Sequence, residues 1–95
     1  MKINATNENN ICTIMIEGSI DALTSPELEQ AIFAAGSEKV ILDMTGVDYI
    51  SSAGLRVVVG ANHKLGRDNL TLRGLAPNVL EIFRLTGFTK YLNIE

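Results

Sequence analysis

Residues 40–59 read VILDMTGVDYISSAGLRVVV, and the change of hydrophobic period along this stretch decides the fold. Val40-Ile41-Leu42 is a short continuous apolar run between Lys39 and Asp43. A run of that kind is expected of a parallel strand in the middle of a sheet with helices over both faces. Thr45-Gly46-Val47-Asp48 has turn-like composition, so Asp43 is expected to close the strand. Beyond Ser51-Ser52 the period becomes helical: Leu55, Val58, Val59 and Leu65 fall on one face and Gly66 stops it, which predicts a helix over residues 53–65. The triplet Val57-Val58-Val59 is β-branched and would also suit a strand. The length of the periodic segment and the serines in capping position favour the helix.

Upstream, Cys12, Ile14 and Ile16 alternate with Thr13, Met15 and Glu17, which predicts a strand over residues 11–17 ended by Gly18. A further strand around Lys2–Thr6 would pair with it as a hairpin through the polar run Asn7–Asn10. Thr24-Ser25-Pro26-Glu27 carries a capping hydroxyl, an early proline and an acidic first turn, so a helix starts there. Its buried stripe is Leu28, Ala31, Ile32 and Ala35, closed by Gly36. Phe33 lies off that stripe, half-exposed or on a binding face. Downstream, Leu70 and Leu72 alternate as a strand, Pro77 opens a helix with Val79, Ile82 and Phe83 on one face, Gly87 closes it, and residues 91–94 add a last short strand. The expected architecture is a single α/β domain over residues 1–95: a small mixed sheet with an N-terminal strand pair and mostly parallel later strands, flanked by three to four helices.

Composition narrows the function. With 95 residues, 46% of them hydrophobic, the chain can bury one modest core, which disfavours a large multi-substrate enzyme. A net charge of −3, with the eight basic residues scattered, disfavours direct nucleic-acid binding. The single cysteine, Cys12, forms no internal disulfide and sits at a core position of its strand, and His63 has no ligand-spaced companion. No apolar run is long enough to span a bilayer and the first residues lack a signal-peptide pattern, so a cytoplasmic protein is expected. Neither GxxxxGK[ST] nor GxGxxG is present, so this chain is not expected to bind ATP or another cofactor.

The polar residues at the carboxyl ends of the strands remain. Asp21 follows one strand and Asp43 closes another, and in open α/β sheets that rim is where function collects; a turn or capping carboxylate is the alternative for each. Ser51-Ser52 lies on the same rim. As a nucleophile a serine would need a base, and neither a nearby histidine nor a GxSxG elbow accompanies it. A helix-capping role is one reading, and a phosphoryl acceptor is another, because the start of a helix tolerates an added dianion.

At these residues the sequence resembles a known family. LDMTGVDYISSAGLRVVV, residues 42–59, is similar to the signature stretch of the bacterial anti-sigma factor antagonists of the STAS domain family. GSIDALTSPEL, residues 18–28, and VLEIFRLTGFTKYLNI, residues 79–94, extend the likeness over nearly the whole chain. The resemblance implies a non-enzymatic switch. Ser52 would be phosphorylated by a cognate anti-sigma factor acting as a serine kinase with its own ATP and magnesium, and Ser51 is the second choice. Unphosphorylated, the domain would bind that anti-sigma factor and release a sigma factor, and a phosphatase would restore this state. Asp21, Thr24, Asp43, Ser51, Ser52, Gly54 and Leu55 would form the partner-binding rim, with Gly54 keeping the backbone clear around the acceptor. Many antagonists have an aspartate before the phosphoserine and a serine or threonine after it, where this chain has Ser51 and Ala53. The rival reading is a STAS scaffold subunit of a lipid-transport or signalling complex whose serines only cap the helix. A weak homodimer is compatible with the sequence, although no heptad or apolar stripe demands one.

Overall fold

A computed structural model describes residues 1–95. In chain order it consists of strands β1 (Lys2–Glu8) and β2 (Ile11–Ile20), helix α1 (Ser25–Phe33), strand β3 (Lys39–Ile50), helix α2 (Ser52–Leu65), strand β4 (Leu70–Arg73), helix α3 (Pro77–Leu85) and strand β5 (Asn93–Ile94), with one-turn 3-10 segments at Arg67–Asn69 and Phe88–Lys90. The five strands lie side by side in sequence order. β1 and β2 are antiparallel, and all later pairs are parallel, each joined through a helix. The expected hairpin forms around Asn9-Asn10, both at positive φ, where asparagine is tolerated better than most residues and a two-residue turn follows the twist of the strands.

β3 is central, as its apolar start indicates, but only one of its faces is covered. Cys12, Ile14, Ile16, Ile20, Val40, Leu42, Met44, Val47, Ile50, Leu70 and Leu72 are buried on one side of the sheet and join the buried residues of all three helices in a single cluster. Their alternates, among them Thr13, Ile41 and Thr71, are only half-buried, and Met15 is 43% exposed. Helices on both faces were therefore the wrong expectation: a three-residue apolar run is also what a one-sided strand shows when Ile41 is partly sheltered by its neighbours.

Two strands run longer than their sequence predicts. β2 does not end at Gly18, and β3 neither closes at Asp43 nor turns at Thr45–Asp48; β2 continues to Ile20 and β3 to Ile50. Met15 pairs with Asp43 and Ile20 with Ile50, so five steps along β2 match seven along β3. Two extra residues on β3 are absorbed as bulges between Met15 and Glu17 and between Gly18 and Ser19 of the partner. The buried positions record it, changing from steps of two at Val40, Leu42 and Met44 to steps of three at Val47 and Ile50. Gly46 serves the first bulge by close approach: a Cβ there would lie 2.8 Å from the Glu17 Cγ and 3.0 Å from the Ile16 carbonyl oxygen.

Candidate functional site: the start of helix α2

The extended halves of β2 and β3 deliver two connections to one place. The Ser51 amide donates to the Ile20 carbonyl at 2.8 Å, tying the end of β2 to the start of α2. Gly54, in the first turn of α2, is buried against the same strand ends, where a Cβ would come within 2.7 Å of both Ile20 Cγ2 and Ile50 Cγ1. Its role is thus close packing of helix on sheet, not the clearing of space around a serine. That contact sets the height at which the two serines stand.

The serines are not equivalent. Ser51 is the N-cap, in extended conformation, and its hydroxyl oxygen accepts from the Gly54 amide at 3.3 Å. Ser52 is the first helical residue, one earlier than its sequence suggests, and it is exposed, with no hydrogen bond from its hydroxyl to the rest of the chain. Capping and accessibility are divided between the pair.

The neighbouring β2–α1 connection is held rigid by its own side chains. Asp21 Oδ1 accepts from the amides of Leu23 at 2.9 Å and Thr24 at 3.0 Å. The Thr24 hydroxyl accepts from the Asp21 amide at 2.9 Å and lies 2.9 Å from the Ser19 carbonyl oxygen and 3.1 Å from Asp21 Oδ1, so its proton serves one of the two. Thr24 occupies the N-cap position of α1 without capping it, because its hydroxyl is turned back into this loop. The Thr24 amide, followed by the Leu23 amide and the Thr24 hydroxyl, holds the Asp21 carboxyl below the usual carboxylate range. Asp21 is therefore an anion at neutral pH, fixed beside the start of α2.

Asp43 does not belong to this group. It pairs in register with Arg73 at the end of β4, about 16 Å below Ile50 when the five β2 steps are taken at ~3.3 Å each. Its Oδ1 accepts from the Thr45 hydroxyl at 2.7 Å and the Thr45 amide at 3.1 Å, and Arg73 lies 3.6 Å from Oδ2. The Thr45 hydroxyl, with smaller contributions from the Thr45 amide and Arg73, lowers its carboxyl below the usual range. Asp43 faces a different hollow from Ser52, shared with Lys2, Asn4, Met15 and Glu17. There it pins the beginning of the first bulge.

What lies against Ser52 is an apolar hollow that sequence reading missed, formed with Leu55, Arg56, Val59, Gly60, Thr86 and Phe88. Arg56 carried a usable signal, since four residues on from Ser52 it stands on the same side of the helix. Thr86 and Phe88 carried none, because only the packing of the C-terminal tail brings them there. Elsewhere, Cys12 is in the core and burial pushes its thiol up. His63 is exposed near the end of α2. Phe33, 43% exposed, lies under the Lys64 ammonium at 4.6 Å from the ring centre. No group of three metal-ligating side chains comes together, and no helix is long and apolar enough to cross a membrane.

The chain that folds into this sequential five-stranded mixed sheet matches the STAS domain family model over residues 2–95 and belongs to that family. Its relatives include BtrV of Bordetella bronchiseptica, whose name assigns it provisionally to the anti-sigma factor antagonists, 33% identical over 93 residues that cover 93% of this chain and 80% of that one. The anti-sigma-B factor antagonist of Listeria monocytogenes is 33% identical over 86% of this chain and 76% of its own. Among solved structures, an anti-sigma factor antagonist from Mycobacterium paratuberculosis superposes with a TM-score of 0.88 at 25% identity, covering 98% of this chain and 83% of the other.

Proposed function

We propose that this chain is an anti-sigma factor antagonist switched at Ser52. Unphosphorylated, it binds an anti-sigma factor through the rim of Asp21, Thr24, Ser51, Ser52 and Leu55, with Gly54 packed beneath it, and so frees a sigma factor for transcription. Phosphorylation of Ser52 by that anti-sigma factor, a serine kinase bringing ATP and magnesium, ends the binding, and a phosphatase reverses it. The chain itself performs no catalysis and acts in the cytoplasm.

The observation that carries this reading is the division of labour between the serines. Because Ser51 supplies the cap, Ser52 can be modified without removing the hydrogen bond that holds the helix start. A phosphoryl group there adds about −1.5 to −2 of charge at a helix end that favours it, so the fold survives. Complementarity to a partner does not, through repulsion, desolvation and bulk. The anionic Asp21 on the adjoining loop adds to that repulsion.

The test is site mapping by mass spectrometry after incubation with the cognate anti-sigma factor and ATP, using wild type, Ser51→Ala and Ser52→Ala. Loss of the phosphate in Ser52→Ala alone supports the reading. Equal labelling of wild type and Ser52→Ala refutes it, and an unlabelled wild type, also unmodified in its native cells, favours the scaffold role.

A further inference from the structure

The hollow beside Ser52 adjoins a second one, with Val59 and Phe88 lining both. Together they make one groove along the exposed side of α2, walled by the tail from Thr86 to Leu92 and ending at Arg67. The wall is tied to the helix by Asn62, whose side-chain amide donates to the Tyr91 carbonyl at 3.1 Å. Tyr91 leaves 64% of its surface exposed on the lip.

The charge of this groove is opposite to that of the chain. Its lining includes Arg56, Arg67 and Lys90, together with His63, and none of the eleven carboxylate residues. The other cations are otherwise placed: Arg73 and Arg84 pair with Asp43 and Glu81, Lys64 lies over Phe33, and Lys2 and Lys39 belong to the sheet. A net charge of −3 thus leaves a basic, apolar-floored channel that begins at the switch serine.

We propose that this groove docks an acidic, amphipathic segment of a partner protein, with apolar side chains over Val59 and Phe88 and carboxylates toward Arg56, Arg67 and Lys90. The proposal deepens the function above by adding a surface that Ser52 would control: a dianion at one end of a channel built for carboxylates repels the occupant from within. Charge complementarity selects an acidic segment, and the apolar floor excludes a purely polar one.

The experiment is an NMR titration of the isotope-labelled, unphosphorylated chain with a synthetic helical peptide of about four turns, leucine on one face and glutamate on the other. Its control has every glutamate replaced by glutamine. The expected result is that the acidic peptide shifts the amides of Val59, Gly60, Phe88 and Tyr91, and that the control binds about tenfold more weakly. Added salt, or the double substitution Arg67→Glu and Lys90→Glu in a chain whose spectrum stays native, should weaken the acidic peptide by a similar factor. Equal binding of both peptides, shifts confined to the open face of the sheet, or no shift at all would overturn the proposal. So would shifts driven only by the chain's own concentration, which would assign the groove to a second copy, or only by phosphatidylglycerol vesicles, which would assign it to a lipid surface. Ser52 stays unmodified throughout, so failure here leaves the phosphorylation reading standing, and failure of that reading leaves this result intact.

Discussion

The two halves of β3 do different work. Val40–Asp43 is paired on both sides, with β2 and β4, and keeps a strict alternation that buries Val40 and Leu42. From Met44 to Ile50 only β2 accompanies it, two bulges interrupt the register, and Thr45, Gly46, Asp48 and Tyr49 are exposed. The first half is the centre of the sheet and the second is an arm that carries Ser51 and Ser52 outward. Both halves contribute to the core, Val40 and Leu42 in the first and Met44, Val47 and Ile50 in the second, but only the second controls the placement of the site.

Leu42→Ala tests the first part most severely. The side chain is fully buried, so its truncation should cost about 2–5 kcal/mol, read as a lowered midpoint in urea unfolding. A loss below that range would mean that packing at the sheet centre is looser than the full burial of Leu42 implies. Gly54→Ala attacks the joint between the arm and α2. Its methyl group meets Ile20 and Ile50 inside contact distance, and the expected loss is about 1–3 kcal/mol with altered NMR signals for residues 51–55. An unchanged spectrum would show that this close approach does not seat the helix.

Ser51→Ala and Ser52→Ala sharpen the comparison within the site itself. Removal of the cap at Ser51 should cost about 1 kcal/mol. Ser52→Ala should stay within about 0.5 kcal/mol, because the side chain is exposed and bonded to nothing in the chain. Thermal unfolding of the two variants decides this, and the reverse order would return the cap to Ser52.

The smallest effect is that of pH. Asp21 and Asp43 both have folded-state values below the ordinary carboxylate value, so each favours the folded state once ionised. Their contribution is complete above about pH 5 and is lost as pH falls through the ordinary carboxylate value to the folded-state values. Urea unfolding should show a shallower decline between neutral and acid pH in Asp21→Asn and Asp43→Asn than in wild type. An identical decline would remove these carboxylates from the account.

Most elements were legible because each rests on a local signal. Pro26 and Pro77 sit at the starts of helices, Asn9-Asn10 forms the hairpin turn, and Leu70 and Leu72 alternate into the core. The second half of β3 was not legible, since a bulge breaks the two-residue period and takes Gly46 and Asp48, the residues that also make turns. Asp43 was misplaced for the same reason, and Gly54's packing role was hidden because its contacts come from Ile20 and Ile50. Family likeness located the serine pair without saying which of the two caps the helix.

The sequence by itself determined a single α/β order of elements, a buried cysteine and a serine pair at the start of a helix, because period, caps and turn residues are properties of neighbours along the chain. Tertiary structure alone decided that one face of the sheet stays open, that Ser51 rather than Ser52 takes the cap, that Asp21 but not Asp43 adjoins the site, and that a basic groove leads away from it. Those outcomes depend on which strands run past their partners and where the C-terminal tail comes to rest, and no local stretch of residues encodes a distance between parts of the chain so far apart.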